Sequence, residues 1–236
     1  MKLRAHTTSS TADEAAAACA GWMLARLAEA ISTRGSASVA FSGGSSPASL
    51  LRVLAASTTI DWSVVHVFQV DERMAPPGSP DRNQTQLMSL FVDPAGIAED
   101  HTHIVAVGSR RRAEVVAREY RTTVEKVTGG VIDVVHLGLG DDGHTASLVP
   151  GDVLLHETTS LVGATGIYKG YRRVSLTYPA LAAARHIAWF VVGASKEEPM
   201  KQLLRSDVSI PAGRVVAKDE MVFSDAAASG IGGTVD

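Results

Sequence analysis

Four stretches of this chain are apolar and largely β-branched yet lack the strict polar alternation of a half-exposed strand: Ser38–Phe41, Val64–Val70, Val131–Leu137 and His186–Val192. Strands of that kind need cover on both faces, as in a parallel sheet. Stretches of helical period separate them. Ala16, Ala20, Leu24, Leu27 and Ile31 mark a helix over 12–33 that Gly35 stops. Val116, Tyr120, Val124 and Val127 mark another over 110–127, ended by Gly129-Gly130. Shorter helices are expected over 47–55 (Ser46 as cap, Pro47 as first residue), after Asn83 as a cap, near 179–184 and over 196–204. Further strands are expected at His103–Val107, Ser160–Val162 and Arg173–Thr177, with a short C-terminal segment after the last helix. The fold class is α/β: an open, mainly parallel, Rossmann-like sheet with helices on both faces. The 236 residues show no repeat, linker or shift of composition, so a single domain over 1–236 is expected, with a small polar tail, about 226–236, that frays.

Charge and composition remove several classes of function. The net charge is −3 and 20% of residues are charged, which offers no footprint for nucleic acid or for a membrane surface. Arg110-Arg111-Arg112 reads as a solvated helix start. Cys19 is the one cysteine, so an intrachain disulfide is impossible. His101 and His103 lack further ligands at metal-binding spacing, and no metal site is expected. Met1–Ser10 is polar and the later apolar runs are of strand length, so no leader or membrane span is expected and the cytoplasm is the expected compartment.

The residues that could carry chemistry stand at strand ends. In a parallel sheet the carboxyl ends share one edge, so loops far apart in sequence can converge there. Ser42-Gly43-Gly44-Ser45-Ser46-Pro47 offers two glycines, hydroxyls and the free N–H groups of a helix start, which suits an anion equally as well as a capped tight turn. It lacks the Gly-Lys-Ser/Thr ending of a nucleotide P-loop. Arg73, after the second strand, and Lys196, after the last, can each close on a phosphate or remain surface charges.

The fourth loop, Gly138-Leu139-Gly140-Asp141-Asp142-Gly143-His144, spells the dinucleotide fingerprint letter by letter. Six residues between Gly143 and Pro150 leave no room for the crossover helix, and two carboxylates would repel a pyrophosphate. What remains is an imidazole among glycines and carboxylates, the setting of a proton-transfer group. Asp71 and Asp142 are both candidates to orient it or its water, and the sequence does not choose between them. No Gly-x-Ser-x-Gly elbow is present, which argues against a serine hydrolase.

Across nearly the whole chain these segments resemble the 6-phosphogluconolactonases. The matching stretches are Phe41–Pro47, Asp71-Glu72-Arg73, Gly138–Pro150 with its Asp-Gly-His-Thr-Ala-Ser core, Arg173–Thr177 and Val192–Lys196. The chain departs from the family at Arg82, Val149 and Phe223, where serine, phenylalanine and tryptophan are usual. The resemblance implies hydrolysis of 6-phospho-D-glucono-1,5-lactone, in the oxidative pentose phosphate pathway, without metal or cofactor. It implies His144 as the catalytic base and acid, with Asp71 or Asp142 assisting. It places sugar and phosphate contacts on Gly43, Gly44, Ser45, Asp71, Arg73, Asn83 and Lys196. The expected partner is a small phosphosugar lactone, with no nucleic acid and no membrane, and the expected assembly is a monomer or weak homodimer.

Two other functions share parts of this pattern. A glucosamine-6-phosphate deaminase has an Asp-Gly-His loop but continues it with a glutamate, whereas this chain reads Thr145-Ala146-Ser147-Leu148-Val149-Pro150. A non-catalytic sugar-phosphate sensor would keep the anion loop and typically add a DNA-binding segment, and no helix-turn-helix precedes the first helix.

Overall fold

The computed structural model describes residues 3–44, 46–108 and 111–230. In chain order its elements are β1 His6–Ser9, α1 Ala12–Arg34, β2 Ala37–Phe41, α2 Ala48–Ala55, β3 Val65–Gln69, β4 Asp71–Arg73, α3 Asn83–Leu87, α4 Asp93–Ala95, β5 Thr102–His103, α5 Ala113–Thr128, β6 Val134–Leu137, β7 Val162–Ala164, β8 Arg173–Leu176, α6 Tyr178–Ala183, β9 His186–Val191, α7 Glu197–Leu204 and β10 Glu220–Asp225. Seven strands form one parallel sheet in the order β1-β10-β9-β6-β2-β3-β5. The α/β class and the parallel sheet read from the uniformly apolar strands are therefore what the chain adopts.

Each face of that sheet carries its own apolar layer. On one face α1 and α2 pack Met23, Leu27, Leu50 and Leu54 against Val39, Val67 and Phe190. On the other, α5 and α7 pack Val116, Tyr120 and Leu203 against Val135, Leu137 and Trp189. Each fully buried leucine of this kind contributes about 1.5–3 kcal/mol. Thr11 starts α1 with a capping box through Glu14, and Gly35 ends it at φ 78, as its place after the periodic residues led one to expect.

Several elements differ from the sequence expectation. A second sheet, β4-β8-β7, is antiparallel. The chain leaves the parallel sheet at Val70, whose N–H donates to the Phe41 carbonyl and whose carbonyl accepts from Leu176. Asp71–Arg73 is thus a strand and not the start of a loop. The strand expected over His103–Val107 shrinks to Thr102–His103, and Ser160–Val162 moves on to Val162–Ala164. The polar N-terminus supplies β1, and the C-terminal segment is β10, inserted between β1 and β9. Of the tail expected to fray, Ala228 is fully buried, and 231–236 lie outside the described residues. Pro47 occupies the cap position of α2, and neither it nor Ser46 makes a side-chain cap. Helix α5 begins at Ala113, with Arg110 outside the described residues. No helix among the described residues is long and apolar enough to cross a membrane.

Candidate active site

The histidine loop grows out of β6, the central strand. Gly140 N–H donates to the His144 carbonyl (2.8 Å) and Gly143 N–H to the Gly140 carbonyl (3.0 Å), so the chain closes on itself within one turn. Two glycines are required there. A Cβ at Gly140 would stand 2.0 Å from His144 Nδ1 and 2.8 Å from Asp142 Oδ1, and a Cβ at Gly143, where φ is +77, would stand 2.5 Å from Ile210. The segment 153–156, which could imitate the next strand of a dinucleotide fold, is a 3₁₀ turn.

Within this loop His144 Nδ1 lies 2.5 Å from Asp142 Oδ1, which also accepts from the His144 backbone N–H at 3.2 Å. A carboxylate on Nδ1 places the proton there and leaves Nε2 as the basic nitrogen. Burial pushes the Asp142 carboxyl up, but hydrogen bonds from His144 and Tyr168 and the imidazole's charge outweigh it and hold the group down at about 2. Asp71 is engaged elsewhere. It is buried, accepts from Ser147 Oγ at 2.5 Å and from Asn83 Nδ2 at 3.2 Å, and has Arg173 Nη1 at 3.9 Å. It ties β4 to the histidine loop without touching the imidazole.

The four loops converge on one cleft of about 270 Å³, lined by Gly43, Gly44, Asp71, Arg73, Asn83, His144 and Lys196 among others. Ser45 lies outside the described residues. Asp142 stands behind the imidazole. Gly43 lets Asn83 approach, since a Cβ there would meet the Asn83 side chain at 2.2 Å. Asn83 does not cap α3 but is its first residue. The buried Glu72 does the capping from β4, accepting from the N–H groups of Asn83 and Gln84 at 2.8 Å each. The Asn83 amide is thereby free to hold Asp71. Lys196 ends a 3₁₀ turn before α7 and pairs with Asp141, whose carboxyl it holds below the usual range. Arg73 Nη1 donates to the Asp81 carbonyl at 3.0 Å.

Sequence reasoning missed three cleft residues, Arg173, Tyr168 and Lys169. Arg173 sits directly across the antiparallel ladder from Arg73, and both line the cleft. Like charges in facing register oppose folding unless something neutralises them. The Nε of each is buried and without a hydrogen-bond partner among the described residues. Burial lowers the Arg173 guanidinium from its ordinary range, with Asp71 opposing and Arg73 reinforcing the shift. Arg173 stood in plain view inside the Arg173–Thr177 segment; the signal that marks it, its pairing with Arg73, is long-range. Among the described residues no three His, Cys, Asp or Glu side chains are placed to hold a metal ion. His103 instead stacks on Phe68 and hydrogen-bonds His66 at 3.0 Å.

Comparisons with known proteins show the family of the chain. Residues 10–223 match the family model described as glucosamine-6-phosphate isomerases/6-phosphogluconolactonase. The chain is 31% identical over 217 residues to a 6-phosphogluconolactonase of a Nostoc species, covering 88% of this chain and 89% of that protein. It is 36% identical over 186 residues to the 6-phosphogluconolactonase of Rhizobium meliloti, covering 75% and 78%. The crystal structure of a 6-phosphogluconolactonase from Shewanella baltica superposes with a TM-score of 0.84 at 28% identity, covering 95% of this chain and 98% of that one. The chain belongs to the glucosamine-6-phosphate isomerase/6-phosphogluconolactonase family.

Proposed function

We propose that this protein hydrolyses 6-phospho-D-glucono-1,5-lactone to 6-phospho-D-gluconate, a step of the oxidative pentose phosphate pathway, as a cytoplasmic single-domain enzyme that is a monomer or weak homodimer. The observation that carries the reading is the union, in one cleft, of a carboxylate-backed imidazole with two arginines in facing register. One end suits proton transfer and the other a phosphate. The names of the relatives point to the same substrate.

In this mechanism His144 Nε2 takes a proton from water as the water oxygen bonds to the lactone carbonyl carbon, C1. Charge collects on the carbonyl oxygen. When the tetrahedral intermediate collapses, the C1–O5 bond breaks and the imidazolium returns its proton to O5, so one residue is base and then acid. Asp142 keeps Nδ1 protonated and the ring oriented, and stabilises the imidazolium. Asp71, held by Ser147 and Asn83, acts as a fixed wall of the cleft that orients substrate hydroxyls. Arg73, Arg173, Lys196 and the Gly43–Ser45 backbone bind the phosphate. Anchoring that group fixes C1 against His144, and orientation of this kind accounts for a large share of rate gain. A lactone is an activated ester, so a covalent nucleophile is not required.

The reading is tested by generating the lactone with glucose-6-phosphate dehydrogenase and following its loss with and without the protein, beside a parallel assay for ammonia from glucosamine 6-phosphate. Accelerated lactone loss without ammonia is expected. Ammonia release, or binding of the lactone without turnover, would contradict it.

A further inference from the structure

Strands β7 and β8 are joined by a hairpin whose tip, Tyr168-Lys169-Gly170-Tyr171, turns with φ of +46 at Lys169 and +87 at Gly170. Two positive φ values in succession mark the turn whose twist matches paired strands. Tyr168 N–H donates to the Tyr171 carbonyl (2.9 Å) and Tyr171 N–H to the Tyr168 carbonyl (3.3 Å). Two phenols pin the hairpin across the cleft. Tyr171 donates to Asp81 Oδ2 at 2.9 Å, on the loop that also holds Arg73. Tyr168 donates to Asp142 Oδ2 at 2.9 Å, while the other oxygen of Asp142 serves His144.

The Tyr168 ring is fixed as well as its hydroxyl. It meets the His144 imidazole edge-on, centroids 5.5 Å apart, and the Arg173 guanidinium stands 5.0 Å from its centroid. Burial, then the Asp142 hydrogen bond, pushes the phenol up to about 12, so it remains a donor throughout the working range. We propose that Tyr168 is a positioning residue for the acid–base pair, its hydroxyl fixing one oxygen of Asp142 so that the other stays on His144 Nδ1. This rests on the reading of His144 as the proton shuttle. A carboxylate bonded by a phenol shares its charge with that donor and gives less to the imidazole. Removing the hydroxyl leaves a stronger acceptor on Nδ1, which favours the charged imidazole.

Other charged groups stand around the same cleft and are unchanged by this substitution. They are Asp141, paired with Lys196 from the turn before α7; Arg173 from β8; Lys169 from the hairpin; and Asp71 with Arg73 from β4. Tyr168→Phe retains the ring, its edge contact and the cation on its face. In this variant kcat on the lactone should fall by about tenfold with KM little changed. The acid limb of the kcat/KM profile should move to higher pH, and the His144 ring, followed by NMR in the substrate-free protein, should titrate at higher pH. An unchanged kcat and profile would overturn the proposal. So would a lower kcat with an unmoved His144 titration, because lost packing alone gives that. A wild-type protein without lactone turnover would overturn the lactonase reading alone, and the NMR comparison would then decide on Tyr168.

Discussion

A Cβ at Gly140 would stand 2.0 Å from Nδ1 of His144, so the backbone of one residue forms the seat on which the imidazole of the other rests. Gly140→Ala should therefore swing the ring off Asp142 while the fold persists, because the group that must yield is a half-buried side chain. Turnover should fall by about 10²-fold, the usual cost of misplacing a reacting group by an ångström. Thermal unfolding should shift little. Parallel measurement of kcat and melting temperature checks this, and a wild-type kcat would remove the seat from the account.

The facing arginines make a prediction on binding. Arg73→Ala and Arg173→Ala should each raise KM with a smaller effect on kcat. A hydrogen bond to a charged group contributes about 1.5–3 kcal/mol, or roughly 10–100-fold in KM. Inorganic phosphate should inhibit the wild type competitively and each variant more weakly. Unaltered KM and phosphate inhibition in Arg173→Ala would remove that residue from the anion site.

The sheet was legible because its strands carry no polar alternation, a local property that requires cover on both faces. The convergence of the Gly43, Arg73, His144 and Lys196 segments followed from it, since all four stand at carboxyl ends of the strands. The small antiparallel sheet was not legible. Asp71–Arg73 is charged and short and has no strand propensity of its own; it is extended because Arg173–Leu176 pairs with it from a hundred residues away. Long-range pairing hid the rest in the same way. Nothing local in the sequence marks Glu72 as the support of α3 or Tyr168 as the partner of Asp142; the hydrogen bonds that do so are long-range.

Asp142 yields a prediction that separates orientation from charge. Against burial, hydrogen bonds from His144 and Tyr168 hold its carboxyl down at about 2, so it stays ionised above pH 4. Asp142→Asn removes the charge and lets an amide N–H face Nδ1, so the proton is no longer held on that nitrogen. It should lower kcat by about 10²-fold or more, on the scale of acid–base contributions. The pH–rate profile of the variant tests the point; activity within a few-fold of wild type would assign Asp142 a structural role only.

His136, on β6, predicts the acid stability of the fold. Neither ring nitrogen has a hydrogen-bond partner among the described residues, and burial holds the imidazole neutral down to about 3, against an ordinary value of 6.5. The unfolded chain thus binds more protons between those values, and stability falls as pH drops from about 6.5 toward 3. His103, lowered to about 4 by burial and then by the charges of His66 and His101, acts in the same direction. His136→Leu should raise stability by about 1–3 kcal/mol at neutral pH, the cost of an unpaired buried polar group. It should also flatten the acid loss. Urea midpoints at pH 7, 5 and 4 measure both, and an unchanged slope would contradict the assignment.

The central claim is that a single imidazole moves the proton in both halves of the reaction. The direct measurement is the rate of lactone loss, in the coupled assay at pH 7, for the wild-type protein and for His144→Ala at equal concentration of folded protein. The account predicts a loss of at least about 10²-fold in kcat with phosphate still inhibiting competitively. A His144→Ala protein that turns over within a few-fold of wild type would contradict it.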